Sequence, residues 1–237
     1  MHNPILSVDG LSVFYGQSRI LFDVSLKVAP GQVVSLMGRN GVGKTTLLKS
    51  LMGLLPAKEG RVAFDDRDIT ARPPHERARA GIGYVPQGRS IFPYLTLEGN
   101  LLLGLEAVDS TMRTPAALQA IYEQFPALHT YRKKVAGTLS GGQQQQLALG
   151  RVLIRKPSLL LLDEPTEGIQ PSVVQEIEEL ILGLRERREM AVLLVEQFLD
   201  FAMGVSDYCY VMEKGAIVAE GAAGELQQDA VREYLAL

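Results

Sequence analysis

The stretch Gly38-Arg39-Asn40-Gly41-Val42-Gly43-Lys44-Thr45 narrows the possible folds of this chain more than any other feature. It fits G-x-x-x-x-G-K-[ST], and each residue type in that pattern meets a physical need. Glycines let the backbone curl until successive N–H groups point inward at phosphate oxygens. A helix starting near Lys44 adds the positive end of its dipole. The Lys44 ammonium neutralises the outer phosphates, and the Thr45 hydroxyl can ligate Mg²⁺. Asn40, Gly41, Gly43 and Thr46 are expected to complete the cradle. The mechanism needs a strand before the loop and a helix after it. Val33–Met37 supplies the apolar strand-like run and Thr46–Leu55 the helical one.

The rest of the chain suits that demand. Further short, β-rich runs occur at Ile5–Val8, Leu21–Val28, Arg61–Phe64, Ile82–Val85, Leu159–Leu162, Val192–Val195, Tyr208–Met212 and Ala216–Glu220. Turn signals or helical stretches separate them, the alternation of an α/β domain. Pro30-Gly31 and Asp65-Asp66 mark tight turns, so the first half is expected to be partly antiparallel. From Thr96 to Arg155 the strand signals stop, and strands resume at Leu159. This predicts a helical insertion in an α/β core. The expected organisation is one domain over 1–237, with the core at about 1–90 and 156–237 and the helical subdomain at about 91–155. Glu176–Arg188 is amphipathic, with Ile177, Leu180, Ile181 and Leu184 on one face and Pro171 suited to its first turn.

Composition removes several function classes. A formal net charge of -3 gives no reason to expect nucleic acid as a partner. The arginines of 72–79 and 185–188 alternate with glutamates and read as solvated helix faces. The single cysteine, Cys209, allows no internal disulfide and suits a reducing compartment; its apolar surroundings point to a buried structural thiol. After His2, Asn3 and Pro4 the chain enters a strand-like run, with no signal pattern. No apolar run approaches the roughly 20 residues needed to cross a bilayer. Membrane association must therefore come through a partner.

Two more strings carry chemistry. Leu159–Leu162 ends in Asp163-Glu164, and ligands of open α/β sheets sit beyond the carboxyl ends of strands. Asp163 is thus placed to hold Mg²⁺ and Glu164 to polarise an attacking water as general base. Leu139-Ser140-Gly141-Gly142-Gln143 opens a helical run with a glycine pair, a second potential anion site built from backbone N–H groups and a serine hydroxyl. One phosphate cradle does not need a second reader, so this one is expected to serve the nucleotide of another chain.

With these motifs in this order, nearly the whole chain, from about Ile5 to Leu235, closely resembles the ABC ATPases, whose LSGGQ motif lies in a helical subdomain. The resemblance implies a P-loop NTPase with a RecA-like core, an N-terminal antiparallel β subdomain and an inserted helical subdomain. It also implies a head-to-tail dimer in which each of two ATP molecules lies between one P-loop and the opposite Ser140–Gln143 turn. Tyr15 matches the aromatic that stacks on adenine. Gln87 matches the glutamine that reaches Mg²⁺ and the attacking water. Residues from about Gly88 to Asn100 resemble the surface that receives a coupling helix from a membrane subunit. The implied partners are transmembrane permeases, a paralogous cassette or a second copy of this chain, and, indirectly, a periplasmic binding protein. The implied location is the cytoplasmic face of the bacterial inner membrane. The alternative is a soluble ABC ATPase of the iron–sulfur assembly type. Repair members are excluded because Thr96–Ile154 leaves no room for a long coiled-coil insert, and ribosome-acting members because there is one P-loop.

Two positions depart from the family's usual pattern. Gln170 stands where an aspartate commonly contacts the opposite subunit, and Gln197 stands where a switch histidine follows the strand Val192–Val195. Val195-Glu196-Gln197 resembles one of the two cassettes of branched-chain amino acid and urea importers. The Leu139–Gln146 and Thr166–Ser172 strings resemble the urea type more than the branched-chain amino acid type. Glutamine can donate a hydrogen bond to a γ-phosphate but does not titrate near neutral pH as histidine does. Binding is therefore expected to be kept and hydrolysis retained but weaker. A Gln197→His variant should raise the ATPase rate; an unaltered rate and unaltered transport would remove any mechanistic weight from this position.

Overall fold

The most continuously apolar runs of the chain form the middle of a parallel sheet. Val33–Met37 (β3), Leu159–Asp163 (β7) and Ala191–Glu196 (β8) are buried at every residue, as strands covered on both faces must be. The computed structural model describes residues 3–106, 114–226, 231, 232 and 234; His2 and Leu235, where the family resemblance ends, lie outside these. Ile82–Val85 (β6), Tyr208–Glu213 (β9) and Ala216–Ala222 (β10) complete a six-stranded sheet of order β10-β9-β3-β8-β7-β6. Only the β9–β10 pairing is antiparallel. Register aligns Met37 with Glu196 and Asp163 with Val195. The loops leaving β3, β7 and β8 therefore emerge side by side at one edge.

A second, antiparallel sheet of order β2-β1-β4-β5 contains Leu6–Tyr15 (β1), Ser18–Val28 (β2), Ala57–Phe64 (β4) and Arg67–Asp68 (β5). β1 runs well past the expected Val8. Its register slips against both neighbours around Gly10, which sits at φ 62, so the alternation breaks inside the strand and reads as a stop. The two-residue β5 was not expected and is too short to show a pattern. Asp65 and Asp66, both at positive φ (51° and 58°), make the turn before it.

Eight α-helices pack around the sheets: Lys44–Leu51 (α1), Pro74–Arg79 (α2), Leu97–Leu105 (α3), Pro115–Gln124 (α4), Pro126–Thr130 (α5), Gly141–Leu153 (α6), Pro171–Arg187 (α7) and Leu199–Val205 (α8), counted among the described residues. The strands sort two cores by alternation. Leu159 and Leu161 of β7, with Leu193 and Val195 of β8, face α1 and the antiparallel sheet. Leu160, Leu162, Val192 and Leu194 face the other core, built with α3, α6 and α7. The four residues expected on the inner face of α7, Ile177, Leu180, Ile181 and Leu184, are its buried ones, and Pro171 stands at its first turn. Cys209 is buried, and burial pushes its thiol up to about 11, so it is no nucleophile. Among the described residues no helix is long and apolar enough to cross a membrane.

One expectation fails in this region. Arg77 was read with Arg72 and Arg79 as part of a solvated face, yet it is only 3% exposed. Its guanidinium donates to the carbonyls of Ser50 and Leu51 at 2.8 Å each, and to those of Arg72 and Thr70 at 2.9 Å. Ser50 and Leu51 close α1, so Arg77 caps the C-terminal end of the helix behind the cradle, where the dipole favours a cation. Arg77→Leu removes four hydrogen bonds to buried or half-buried carbonyls. It should lower stability by about 3 kcal/mol, or roughly 6–12 °C in Tm, measurable by thermal denaturation.

Candidate active site

The cradle is built by glycines that nothing larger could replace. Gly43 precedes α1 at φ 114, and a Cβ there would lie 2.8 Å from the Leu21 side chain. A Cβ on Gly38 would lie 2.6 Å from the carbonyl of Met212, so this glycine lets the loop pass close to β9. No side chain caps α1 and its first turn holds no acidic residue. Its N-terminal N–H groups are left for an anion. Asn40, Gly41, Gly43, Lys44, Thr45 and Thr46 line a cavity of about 400 Å³, with Ile20, Gln87 and Glu164 closing it.

The two carboxylates at the end of β7 turn towards this loop from different sides. Thr45 Oγ1 donates to Asp163 Oδ1 at 3.0 Å, and the Tyr84 hydroxyl donates to Asp163 Oδ2 at 3.2 Å. Burial is the main cause pushing the Asp163 carboxyl above its ordinary value; the two hydrogen bonds oppose it and the neighbouring Glu164 adds to it. Glu164 stands at φ 48, a left-handed conformation costing about 1–2 kcal/mol for a residue with a side chain. Its Oε1 lies 3.2 Å from Lys44 Nζ, with the side chains 3% and 5% exposed. Lys44 also donates to the carbonyls of Gly38 (2.7 Å) and Arg39 (3.0 Å). Gln87 Nε2 donates to Glu164 Oε2 at 3.1 Å and to Glu167 Oε2 at 2.8 Å. The segment after it, Gly88, Arg89 and Ser90, lies at positive φ throughout (78°, 71° and 46°). A buried ammonium, two carboxylates, a hydroxyl and an amide thus converge on one small space. That set can bind polyphosphate, hold a hard cation and orient a water.

Ser140, Gly141, Gly142 and Gln143 do not line that cavity; they open α6. Ser140 Oγ accepts from Gln143 N at 3.3 Å, and Gln143 Oε1 accepts from Ser140 N at 3.0 Å. This reciprocal cap is visible in the sequence as S-x-x-Q, here Ser140 and Gln143. Gly142 is tight against α7: a Cβ there would lie 2.5 Å from Val173 Cγ2. Arg89 reaches across this region, donating to the Gly168 carbonyl at 3.3 Å. Tyr15, at the end of β1 and 47% exposed, is not among the cavity's lining residues, and neither is Gln197, which follows β8. Gln170 is exposed at the N-cap of α7 and makes no capping bond.

Sequence reasoning missed Tyr84, Ile20 and Glu167, which carry no motif and come to the site only through the sheet. The Lys44 interaction is the one most open to test. Lys44→Ala should weaken nucleotide binding by roughly two orders of magnitude, read by calorimetric titration with ATP. Without nucleotide the variant should lose about 3 kcal/mol of stability, because Glu164 stays buried and unpaired. Turnover that survives the substitution would overturn the placement of the site.

Comparison with known proteins identifies the family. The ABC transporter family profile matches residues 21–167, more than half of the chain. A probable branched-chain amino acid transport ATP-binding protein, LivF of Archaeoglobus fulgidus, is 39% identical over 216 residues, covering 91% of each chain. BraG of Pseudomonas aeruginosa, a high-affinity branched-chain amino acid transport ATP-binding protein, is 42% identical, covering 90% of this chain and 91% of its own. LptB of Escherichia coli K12, from the lipopolysaccharide export system, is 35% identical over 94% of this chain and 93% of its own. Among solved structures, a nucleotide-free ATP-binding cassette from an ABC transporter superposes with a TM-score of 0.83 at 30% identity, covering 98% of this chain and 95% of that one. The ADP conformation of the cassette MJ1267 gives the same TM-score and identity over 98% and 94%. The chain belongs to the ABC transporter family, as one of its ATP-binding, ATP-hydrolysing subunits.

Proposed function

We propose that this subunit is the motor of a membrane importer and works as a head-to-tail dimer with a paralogous cassette or a second copy of itself. The observation that carries this reading is that the two phosphate readers stand apart. The P-loop cavity is closed by Glu164 and Gln87, while the Ser140–Gln143 turn opens α6 outside it. A nucleotide held by Lys44 and the loop amides leaves its outer face for the Ser140 turn of a partner. In this scheme the N–H groups of Gly41, Gly43 and Thr46 bind the phosphates and Glu164 orients and deprotonates water. Gln197, beyond β8, contacts the γ-phosphate, and Tyr15 packs on the base. Asp163, Thr45 and the Gln87 amide oxygen form an all-oxygen set that suits Mg²⁺. When bound, that ion neutralises charge on the transferring phosphoryl group. The domain arrangement proposed is a single cassette with the helical residues from about 91 to 155 set into the α/β core.

Docking on permeases is supported by a group of exposed apolar side chains between the Gln87 loop and α3. Phe92, Tyr94, Leu95, Leu102 and Leu103 are all at least 39% exposed, and Tyr94 is 93% exposed. The Arg151 guanidinium braces this face from behind, 5.1 Å from the Phe92 ring and bonded to the Ser90 carbonyl at 2.7 Å. A short amphipathic helix from a membrane subunit fits such a patch. The subunit is then peripheral, on the cytoplasmic face, and a periplasmic binding protein takes part only through the permeases. The relatives LivF and BraG are named for branched-chain amino acids. This puts that cargo ahead of urea, the reverse of the order suggested by the Leu139–Gln146 and Thr166–Ser172 strings.

Glu164→Gln with ATP and Mg²⁺ should trap a closed dimer, doubling the mass seen by light scattering; monomers alone, both by itself and mixed with the paralogous cassette, would overturn the scheme. In a strain lacking this chain, leucine uptake should fall and urea uptake should persist. The opposite result restores urea, and no loss of either removes the importer reading.

A further inference from the structure

Glu196 is the last residue of β8 and is wholly buried, with no solvent exposure. A carboxylate so placed normally needs a cation beside it. Among the described residues no lysine, arginine or histidine forms an ion pair with Glu196. Four donors from two loops fill its lone pairs instead. Oε1 accepts from the Thr166 hydroxyl at 2.6 Å and from the Thr166 N–H at 3.3 Å. Oε2 accepts from the N–H groups of Gln197 (3.1 Å) and Phe198 (3.5 Å).

The two loops joined in this way are the ones that carry the hydrolytic groups. Thr166 lies two residues after Glu164, and Gln197 directly follows Glu196. A backbone bond already ties the strands at this level, from Glu164 N to Val195 O at 3.0 Å. Glu164 holds a positive φ, and strain of that kind persists only where neighbours over-determine it. Glu196 supplies part of that constraint: one oxygen grips the turn that leaves Glu164, the other grips the turn that presents Gln197. Burial pushes the Glu196 carboxyl above its ordinary value, and the four donors pull the other way.

We propose that Glu196 is a positioning residue for hydrolysis, whose buried carboxylate sets Glu164 and the Gln197 loop in fixed relation to one another. This rests on the reading of Glu164 and Gln197 as groups that face the nucleotide. Glu196 does not line the P-loop cavity; it acts through Thr166 and the Gln197 backbone. Glutamine at 196 keeps the shape but turns one acceptor into a donor aimed at donors.

The test uses the full chain and steady-state ATP hydrolysis. Glu196→Gln should lower kcat at least about tenfold while leaving the KM for ATP within about twofold, since the phosphate cradle is untouched. Thr166→Val, which removes the hydroxyl and keeps the N–H, should lower kcat by a smaller factor, and Thr166→Ser should restore it. The double variant Glu196→Gln/Thr166→Val should be no slower than Glu196→Gln alone, because both break the same link. An unchanged kcat in Glu196→Gln overturns the proposal, as does a loss in kcat and KM together or an additive double variant. Should Glu196→Gln fail to fold, Thr166→Val decides: folded and fully active, it overturns the proposal; folded and slow with unaltered KM, it supports it. Glu164→Gln run alongside separates the two levels of the argument. If it retains turnover, the underlying site reading is wrong; if it is inactive while Glu196→Gln is normal, only this inference is.

Discussion

The ion pair between Lys44 and Glu164 holds the site together. Two charges taken out of water cost several kcal/mol each, and the attraction between them repays that cost only with good geometry and further hydrogen bonds. Both conditions are met, with Lys44 bonded to two loop carbonyls and Glu164 to Gln87. The pair ties the loop after β3 to the turn after β7, and β8 lies between those strands. Under the proposed mechanism an arriving phosphate competes with Glu164 for the ammonium. The carboxylate is then released to a water at the moment the cradle fills.

The parallel register explains why such distant residues meet. Met37, Asp163 and Glu196 end neighbouring strands, so three loops with different sequences share one edge. Each carries different groups: backbone amides and a cation, two carboxylates, and a glutamine whose N–H is held by a buried glutamate. Glu164 also borders a second cavity of about 340 Å³, lined by Pro86, Gly88, Arg89, Gln145, Glu167 and Gly168. It therefore stands at the wall between the cradle and the elements that lead to the exposed apolar face.

Much of this was legible in the residues, for identifiable reasons. Fully buried strands announce themselves as nearly continuous apolar runs, which is why β3, β7 and β8 read well although Ser35 interrupts the first. The amphipathic face of α7 was clear because a surface helix keeps its 3.6-residue period. The P-loop and Asp163-Glu164 were visible because their chemistry demands particular residue types in sequence. What could not be read depended on contacts between distant segments. Arg77 looks like its neighbours until α1 is packed against it. Glu196 carries no sign of its partners in the string Val195-Glu196-Gln197, and only the sheet brings Thr166 to it. β1 was cut short because a bulge interrupts alternation, and Gln143–Gln146 looked uniform although each side chain meets different surroundings. Gln143 caps α6, Gln144 donates to the Leu139 carbonyl at 3.1 Å, and Gln146 reaches Glu176.

The close approach of Gly142 to Val173 gives the signature turn a second master. Its lack of a side chain serves a partner's phosphate in the proposed dimer, and it also lets the first turn of α6 nest against the first turn of α7. Position 142 is thus keyed to position 173 by volume, so enlarging one asks the other to shrink. Gln170, at the head of α7, and Ser140, at the head of α6, thus cap helices whose first turns are fitted to one another.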